Sequence, residues 1–123
     1  MNARPFIKMH GLGNDFVVLD GRTTRITVDA RLVQAIANRR TGIGCDQVII
    51  LEPSEQADLF MRIYNSDGSE VEACGNAARC VAQLITQETG AENTLLETTV
   101  NILRASAITN ELIEIDMGKP RLA

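Results

Sequence analysis

Tryptophan is absent, and the 123-residue chain has one tyrosine, one histidine, three prolines and two lysines, Lys8 and Lys119. Each scarcity excludes some chemistry. A pyridoxal Schiff base needs a lysine in a deep site with a phosphate cradle, and neither lysine is placed for that, since Lys8 sits in a strand-like run. With His10 as the single histidine, neither a Cys-His nucleophile pair nor a His-rich metal site is supported, although one imidazole could still orient a thiolate. Three cysteines, Cys45, Cys74 and Cys80, cannot all pair within the chain, and their spacing matches no zinc knuckle. Neither a structural disulfide nor a metal site is therefore expected. No apolar run approaches the ~20 residues of a membrane span, and the N-terminus lacks the apolar stretch of a secretory signal, so a cytoplasmic protein is expected. Net charge is −4, and Arg39-Arg40 alone makes no basic patch, which argues against nucleic acid or an anionic membrane as partner and for a small solute.

What is present is enough apolar material, 45% of residues, for one core and hence a single domain over residues 1–123. Within it, the run from Arg62 to Cys80 sets Cys74 at the mouth of a helix just after a turn. Backbone N–H groups unpaired in a helix's first turn, with the positive end of the dipole, favour a thiolate there and an anion beside it. Gly75 allows a ligand close to the backbone, and Asn76 adds a donor and an acceptor. The alternative is that Cys74 is a small core residue. The helix that follows is apolar at Ala77, Ala78, Cys80, Val81, Ala82, Leu84 and Ile85, leaving Arg79, Gln83, Thr86 and Gln87 as a narrow polar stripe, and Gly90 stops it. Such a helix is mostly buried. Cys80 lies six positions after Cys74, about 240° round the axis, and reads as core.

Elsewhere the pattern predicts strands at Pro5–His10 and Asp15–Asp20 around the glycine-rich turn His10–Asn14. That turn lacks the third glycine and following helix of a dinucleotide fingerprint, and the Gly-Lys-Ser/Thr of a P-loop. It either brings Asn14 to a ligand or is an ordinary hairpin. A helix over Ala30–Arg40, capped by Asp29 and stopped at Gly42, should present Leu32, Val33, Ile36 and Ala37 inward. The loop Thr41–Gln47 then enters a strand, Val48–Leu51, with Gln47 pointing into a cleft or exposed as a polar strand start. Leu59–Tyr64 is a further strand, and Asn65 begins the turn Ser66-Asp67-Gly68. Thr94–Thr98, Ile102–Ala107 and Leu112–Met117 read as a three-stranded meander with a hairpin at Thr109–Glu111.

The runs Lys8–Phe16, Gly42–Gln47 and Tyr64–Arg79 together resemble the N-terminal half of diaminopimelate epimerase, and the likeness extends from about Pro5 to Pro120. The resemblance implies an α+β fold, a mixed β-sheet wrapped around a central buried helix, as one of two similar domains that face each other across a cleft. It implies chemistry without cofactor or metal. One cysteine thiolate from each domain works on opposite faces of the α-carbon, interconverting L,L- and meso-diaminopimelate for lysine and peptidoglycan precursors, because a single base would return the proton to the face it left. On that basis Cys74 matches the first catalytic cysteine, Gly75 and Asn76 hold the reacting end of the substrate, and Asn14, Gln47 and Asn65 match substrate-binding positions.

No second Cys-Gly motif follows residue 80, so the resemblance places the partner cysteine in a C-terminal domain outside this chain, and the chain alone is expected to be inactive. In the family the extreme C-terminus also completes the first domain's sheet, so an unpaired strand edge and homodimerisation through it are expected. Proline and hydroxyproline racemases of the same fold tend to follow the cysteine with Gly-His, where this chain has Gly75-Asn76; a phenazine-type isomerase of similar fold would lack the cysteine. A non-catalytic ligand-binding domain is the reading from another class.

Overall fold

Three strands rich in Val, Ile, Leu and Phe set the centre of the sheet in a computed structural model that describes residues 6–11, 13–24, 26–72, 75–107 and 113–116. They are β2 (Asp15–Asp20), β3 (Gln47–Glu52) and β4 (Leu59–Asn65). Alternation at period two sorts their side chains to two faces. Phe16, Val18, Ile49, Leu51, Leu59, Met61 and Ile63 point to one core, and Val17, Leu19, Val48 and Ile50 to a second. Strands β2 and β3 are buried on both faces, as a parallel pair normally is.

The other elements are β1 (Ile7–His10), α1 (Ala30–Ala37), β5 (Glu70–Val71), α2 (Gly75–Thr89), β6 (Asn93–Glu97), β7 (Ile102–Ala107) and β8 (Ile113–Asp116). The sheet runs β1-β2-β3-β4-β6-β7-β8, with β5 paired to β4 beside that path. Pairs β2–β3 and β4–β6 are parallel and the rest antiparallel. Only Leu59↔Leu96 and Phe60↔Glu97 join β4 to β6, and around that short joint both halves of the sheet turn onto α2. The helix buries Ala77, Ala78, Cys80, Val81, Ala82 and Ile85 against Leu96, Leu103, Ala105 and Ile113 on one side and the inner faces of β2–β4 on the other. This is the expected α+β arrangement of a mixed sheet curled around a buried helix. Gly90 ends α2 at φ +76, its N–H donating to the Thr86 carbonyl, as the sequence predicts. Among the described residues no helix is long and apolar enough to cross a membrane.

Helix α1 covers the opposite face of β2 and β3 with Val33 and Ala37. Asp29 caps it, Oδ1 accepting from the Leu32 N–H at 2.8 Å. Two expectations about α1 are corrected. It ends at Ala37 rather than running to Arg40, because Asn38 leaves helical geometry and its Oδ1 accepts from the N–H groups of Arg40 and Thr41, offering the backbone a competing partner. Leu32 is 40% exposed rather than inward, since two turns of helix present only the i, i+4 pair Val33 and Ala37 fully to the sheet, with Ile36 at its margin. The two-residue strand β5 was not anticipated, and Gln47 belongs to β3 itself. The predicted hairpin at Thr109–Glu111 and both ends of the last predicted strand lie outside the described residues.

The turn after β4 is pressed onto the start of α1. Gly68 has φ +93, and a Cβ there would lie 2.6 Å from Ala30 Cβ. Gly68→Ala is therefore expected to cost roughly 1–3 kcal/mol for the backbone conformation alone, while Leu32→Ala stays within about 0.5 kcal/mol of wild type. Urea unfolding of the two variants checks both, and a Gly68→Ala midpoint equal to wild type would contradict the packing described.

Candidate functional site at one end of the sheet

The order of the chain delivers five of the six predicted site residues to the same rim. Strand β2 starts where β1 ends, the parallel strand β3 starts beside it, and β4 runs antiparallel and finishes there. Asn14 lies in the β1–β2 turn, Gln47 is the first residue of β3, Asn65 is the last of β4, and Gly75 and Asn76 open α2. Asn14, Gln47, Asn65, Gly75 and Asn76 are all half-buried, so each is held by the scaffold while remaining open to a solute. Cys74 lies outside the described residues.

Direct contacts link the row. Gln47 Nε2 donates to Asn65 Oδ1 at 3.1 Å, across the register pair that joins β3 to β4. Gln47 Oε1 is buried and accepts no hydrogen bond among the described residues, a costly state for a polar atom. The Asn65 turn is closed by Asn65 N–H to the Ser69 carbonyl at 2.8 Å and Gly68 N–H to the Asn65 carbonyl at 2.9 Å. Its Asp67 carboxylate accepts from the Ser69 hydroxyl and N–H, which holds it below the usual carboxylate range. Gln34 of α1 donates to the Asp67 carbonyl at 2.7 Å.

On the other side of the row, the Gly11 N–H donates to the Asn14 carbonyl at 2.8 Å. A Cβ on Gly11 would press on the Phe16 ring at 3.2 Å and sit at ordinary contact distance from Asn76 Cβ, 3.5 Å, and Cys80 Sγ, 3.6 Å, so the turn rests on the first turns of α2. The turn thus separates two cavities. One of about 330 Å³ is lined by Gly13, Asn14, Asp15, Arg39 and Asp46, and one of about 370 Å³ by Asn76, Arg79, Cys80, Gln83 and Ile113, with His10 and Gly11 common to both. Among the described residues a Cβ on Gly75 would meet nothing nearer than Arg79 Nη1 at 3.9 Å, which leaves room beside the backbone of that residue.

Sequence reasoning missed a charged cluster behind Asn14 and Gln47. Asp15 and Asp46 exchange hydrogen bonds: Asp15 N–H to Asp46 Oδ2 at 3.0 Å and Asp46 N–H to Asp15 Oδ1 at 2.8 Å. The Arg39 guanidinium spans both carboxylates at 3.0–3.1 Å, and Lys8 Nζ approaches Asp15 at 3.7 Å. The hint available was that both aspartates sit inside the quoted motifs, directly beside Asn14 and Gln47. Hydrogen bonding from Arg39, and then from Asp46, holds the Asp15 carboxyl far below its usual range despite the opposing effect of burial. The two described cysteines, Cys45 and Cys80, are buried, and burial pushes the Cys45 thiol upward, away from thiolate chemistry. Cys80 is 5% exposed and packs in the core, as predicted. No group of three or more metal-ligating side chains occurs among the described residues.

A carboxyl depressed in the folded state contributes stability that is present above its unfolded value, ~3.9, and is lost as pH falls below that value toward the folded one. Asp15→Asn is therefore expected to be less stable than wild type near neutral pH, with the gap narrowing only below about pH 4. Urea unfolding across pH 7 to 2.5 checks this, and a gap that closes already above pH 5 would contradict the geometry.

A sequence profile of the family described as diaminopimelate epimerase matches residues 6–123. The diaminopimelate epimerase of Acidiphilium cryptum (strain JF-5) is 51% identical over 120 residues, which is 98% of this chain and 43% of that protein. The chain thus spans less than half the length of the curated relatives it matches. Among solved structures, a hydroxyproline epimerase from Agrobacterium vitis with bound trans-4-hydroxy-L-proline is similar with a TM-score of 0.67 at 17% identity, covering 89% of this chain and 39% of that one. A phenazine biosynthesis protein of the PhzF family from Bacillus anthracis is similar with a TM-score of 0.60 at 21% identity, covering 89% and 37%. These two likenesses concern the fold. The match over nearly the whole chain, together with the three motifs that build this rim, places the chain in the diaminopimelate epimerase family.

Proposed function

We propose that this chain supplies one half of the active site of a cytoplasmic, cofactor-independent amino-acid epimerase that interconverts L,L- and meso-diaminopimelate. The observation that carries the reading is the gathering of Asn14, Gln47, Asn65 and Asn76, which are far apart in sequence, on one rim beside the mouth of α2. Cys74, the residue before Gly75, is the catalytic cysteine in this reading. As thiolate it takes the α-proton from one face, while a thiol from a second domain gives a proton to the other face; the lone pair left on carbon is consumed by that second transfer, so atoms and charge balance. The first-turn amides of α2 face the α-carboxylate, where negative charge builds up as the proton leaves. Gln47 Oε1, an acceptor without a donor among the described residues, suits a substrate ammonium.

Asn76 after Cys74-Gly75 favours diaminopimelate over a proline-type ring substrate, for which the Gly-His variant is usual. The partners of this reading are the diamino-dicarboxylate itself and a C-terminal domain carrying the second cysteine. A second copy of this chain is a further candidate. Among the described residues β1 is paired on one side only and carries exposed Ile7, next to exposed Phe6.

Incubated with L,L-diaminopimelate in deuterated water, the full-length protein carrying this chain should place deuterium at the α-carbon, and Cys74→Ala should lower that exchange by at least about 10²-fold. The 123-residue chain alone should show no epimerase turnover; turnover by it would overturn the two-domain assignment. Sedimentation velocity of the chain should show concentration-dependent association, and a monomer at every concentration would remove the homodimer from the reading.

A further inference from the structure

The ion cluster behind the rim lies where β2 and β3 diverge. Their parallel ladder begins at Phe16↔Gln47, so the residues just before it, Asn14-Asp15 and Asp46, have left the regular pairing. There the chain adds side-chain bonds to a backbone one. The Asp46 N–H donates to both the carbonyl and Oδ1 of Asp15, and the Asp15 N–H donates back to Asp46 Oδ2. These bonds extend the contact between the strands by one residue at the point where each hands over to a proposed substrate-facing amide, Asn14 on one side and Gln47 on the other.

Two carboxylates that accept from one another's backbone stand close enough to repel, and the arrangement holds only with a cation across them. Arg39 provides it through Nη1 and Nη2 to the two oxygens of Asp15 and Nη2 to Asp46 Oδ1. A planar guanidinium fixes three oxygens in one geometry, which a point charge such as Lys8 at 3.7 Å does not. We propose that Asp15, Asp46 and Arg39 form a clamp that sets the separation of Asn14 from Gln47, making the three positioning residues for substrate binding. None of them needs to touch the substrate: the two aspartates adjoin the binding residues in sequence, and Arg39 acts through the aspartates. A cluster that merely ended the sheet would contribute to stability and leave the binding geometry untouched.

The inference rests on the epimerase reading, and the test separates the two. In the full-length protein, Arg39→Gln is expected to lower kcat/KM for α-proton exchange of L,L-diaminopimelate on the order of 10²-fold, the cost of a displacement of about 1 Å in a positioning group. In an Asn14→Ala background the same substitution should cost no more than about twofold, because the group it positions has gone. Amide hydrogen exchange on the same proteins should find the N–H groups of Asp15 and Asp46 slow in wild type and fast in Arg39→Gln, with the core of α2 unchanged. If Arg39→Gln does not fold, Asp46→Asn, which keeps an acceptor for the Asp15 N–H and loses the charge that meets Arg39, replaces it in the same cycle. Losses that multiply in the double variant, full activity in Arg39→Gln, or fast Asp15 and Asp46 amides in wild type each overturn the clamp. Absence of α-exchange in wild type overturns the epimerase reading instead, and the amides then decide the clamp alone.

Discussion

A helix with only a thin polar stripe must be enclosed, and the enclosure of α2 governs the rest of this structure. Seven of the strands form one path that curls so that Phe16, Ile49, Met61, Leu96, Leu103 and Ile113, from six different strands, all meet the same helix. Burying each such side chain is worth about 1.5–3 kcal/mol. Because the side walls take up the flanks of α2, its first turn is left at the rim, beside the Gly11 turn. The place where the helix can meet a solute is thus a by-product of how its body is buried.

The second core has a different task. Helix α1 needs only Val33 and Ala37 to cover β2 and β3, yet it also reaches both working turns: Ala30 and Gln34 meet the turn at residues 67 and 68, and Arg39, just beyond its last turn, joins Asp15 to Asp46. A helix that sequence pattern assigns to structure therefore also ties together loops from three strands. Farther along the same outer face β4 presents Phe60, Arg62 and Tyr64, all half-buried. Arg62 lies over the Phe60 ring and between Glu52 and Glu70.

Much of this could be read from residue order because local signals agreed with the tertiary outcome. Strand β2 falls where its apolar run and flanking turns put it, β7 where alternation does, and Gly90 stops α2 at a positive φ that suits glycine. Where the reading failed, a nonlocal or a very short feature decided. Strand β5 is two residues long and exists because β4 offers it a ladder. Helix α1 ends well before Gly42, the stop its sequence offers, because the Asn38 side chain competes for the backbone first. The members of the ion cluster are charged residues of the kind that usually face water, and Asp15 and Asp46 lie 31 positions apart, so no periodicity could pair them. The amides proposed to bind substrate are legible through resemblance; the hydrogen bond between two of them, Gln47 to Asn65, follows from the antiparallel register and not from motif spacing.

The curled sheet has two ends, β1 and β8, and among the described residues neither has a second neighbour. Gly11, at the end of β1, and Ile113, at the start of β8, line one hollow over Arg79 and Gln83, so the polar stripe of α2 looks out through a slot between the two free margins. Any extended segment that docks in the slot binds the folded state and not the unfolded one, and by mass action it raises folding stability with the logarithm of its effective concentration. A segment tethered to the chain would supply that concentration at about millimolar levels, so occupancy of the slot and the stability of this unit would be a single coupled quantity.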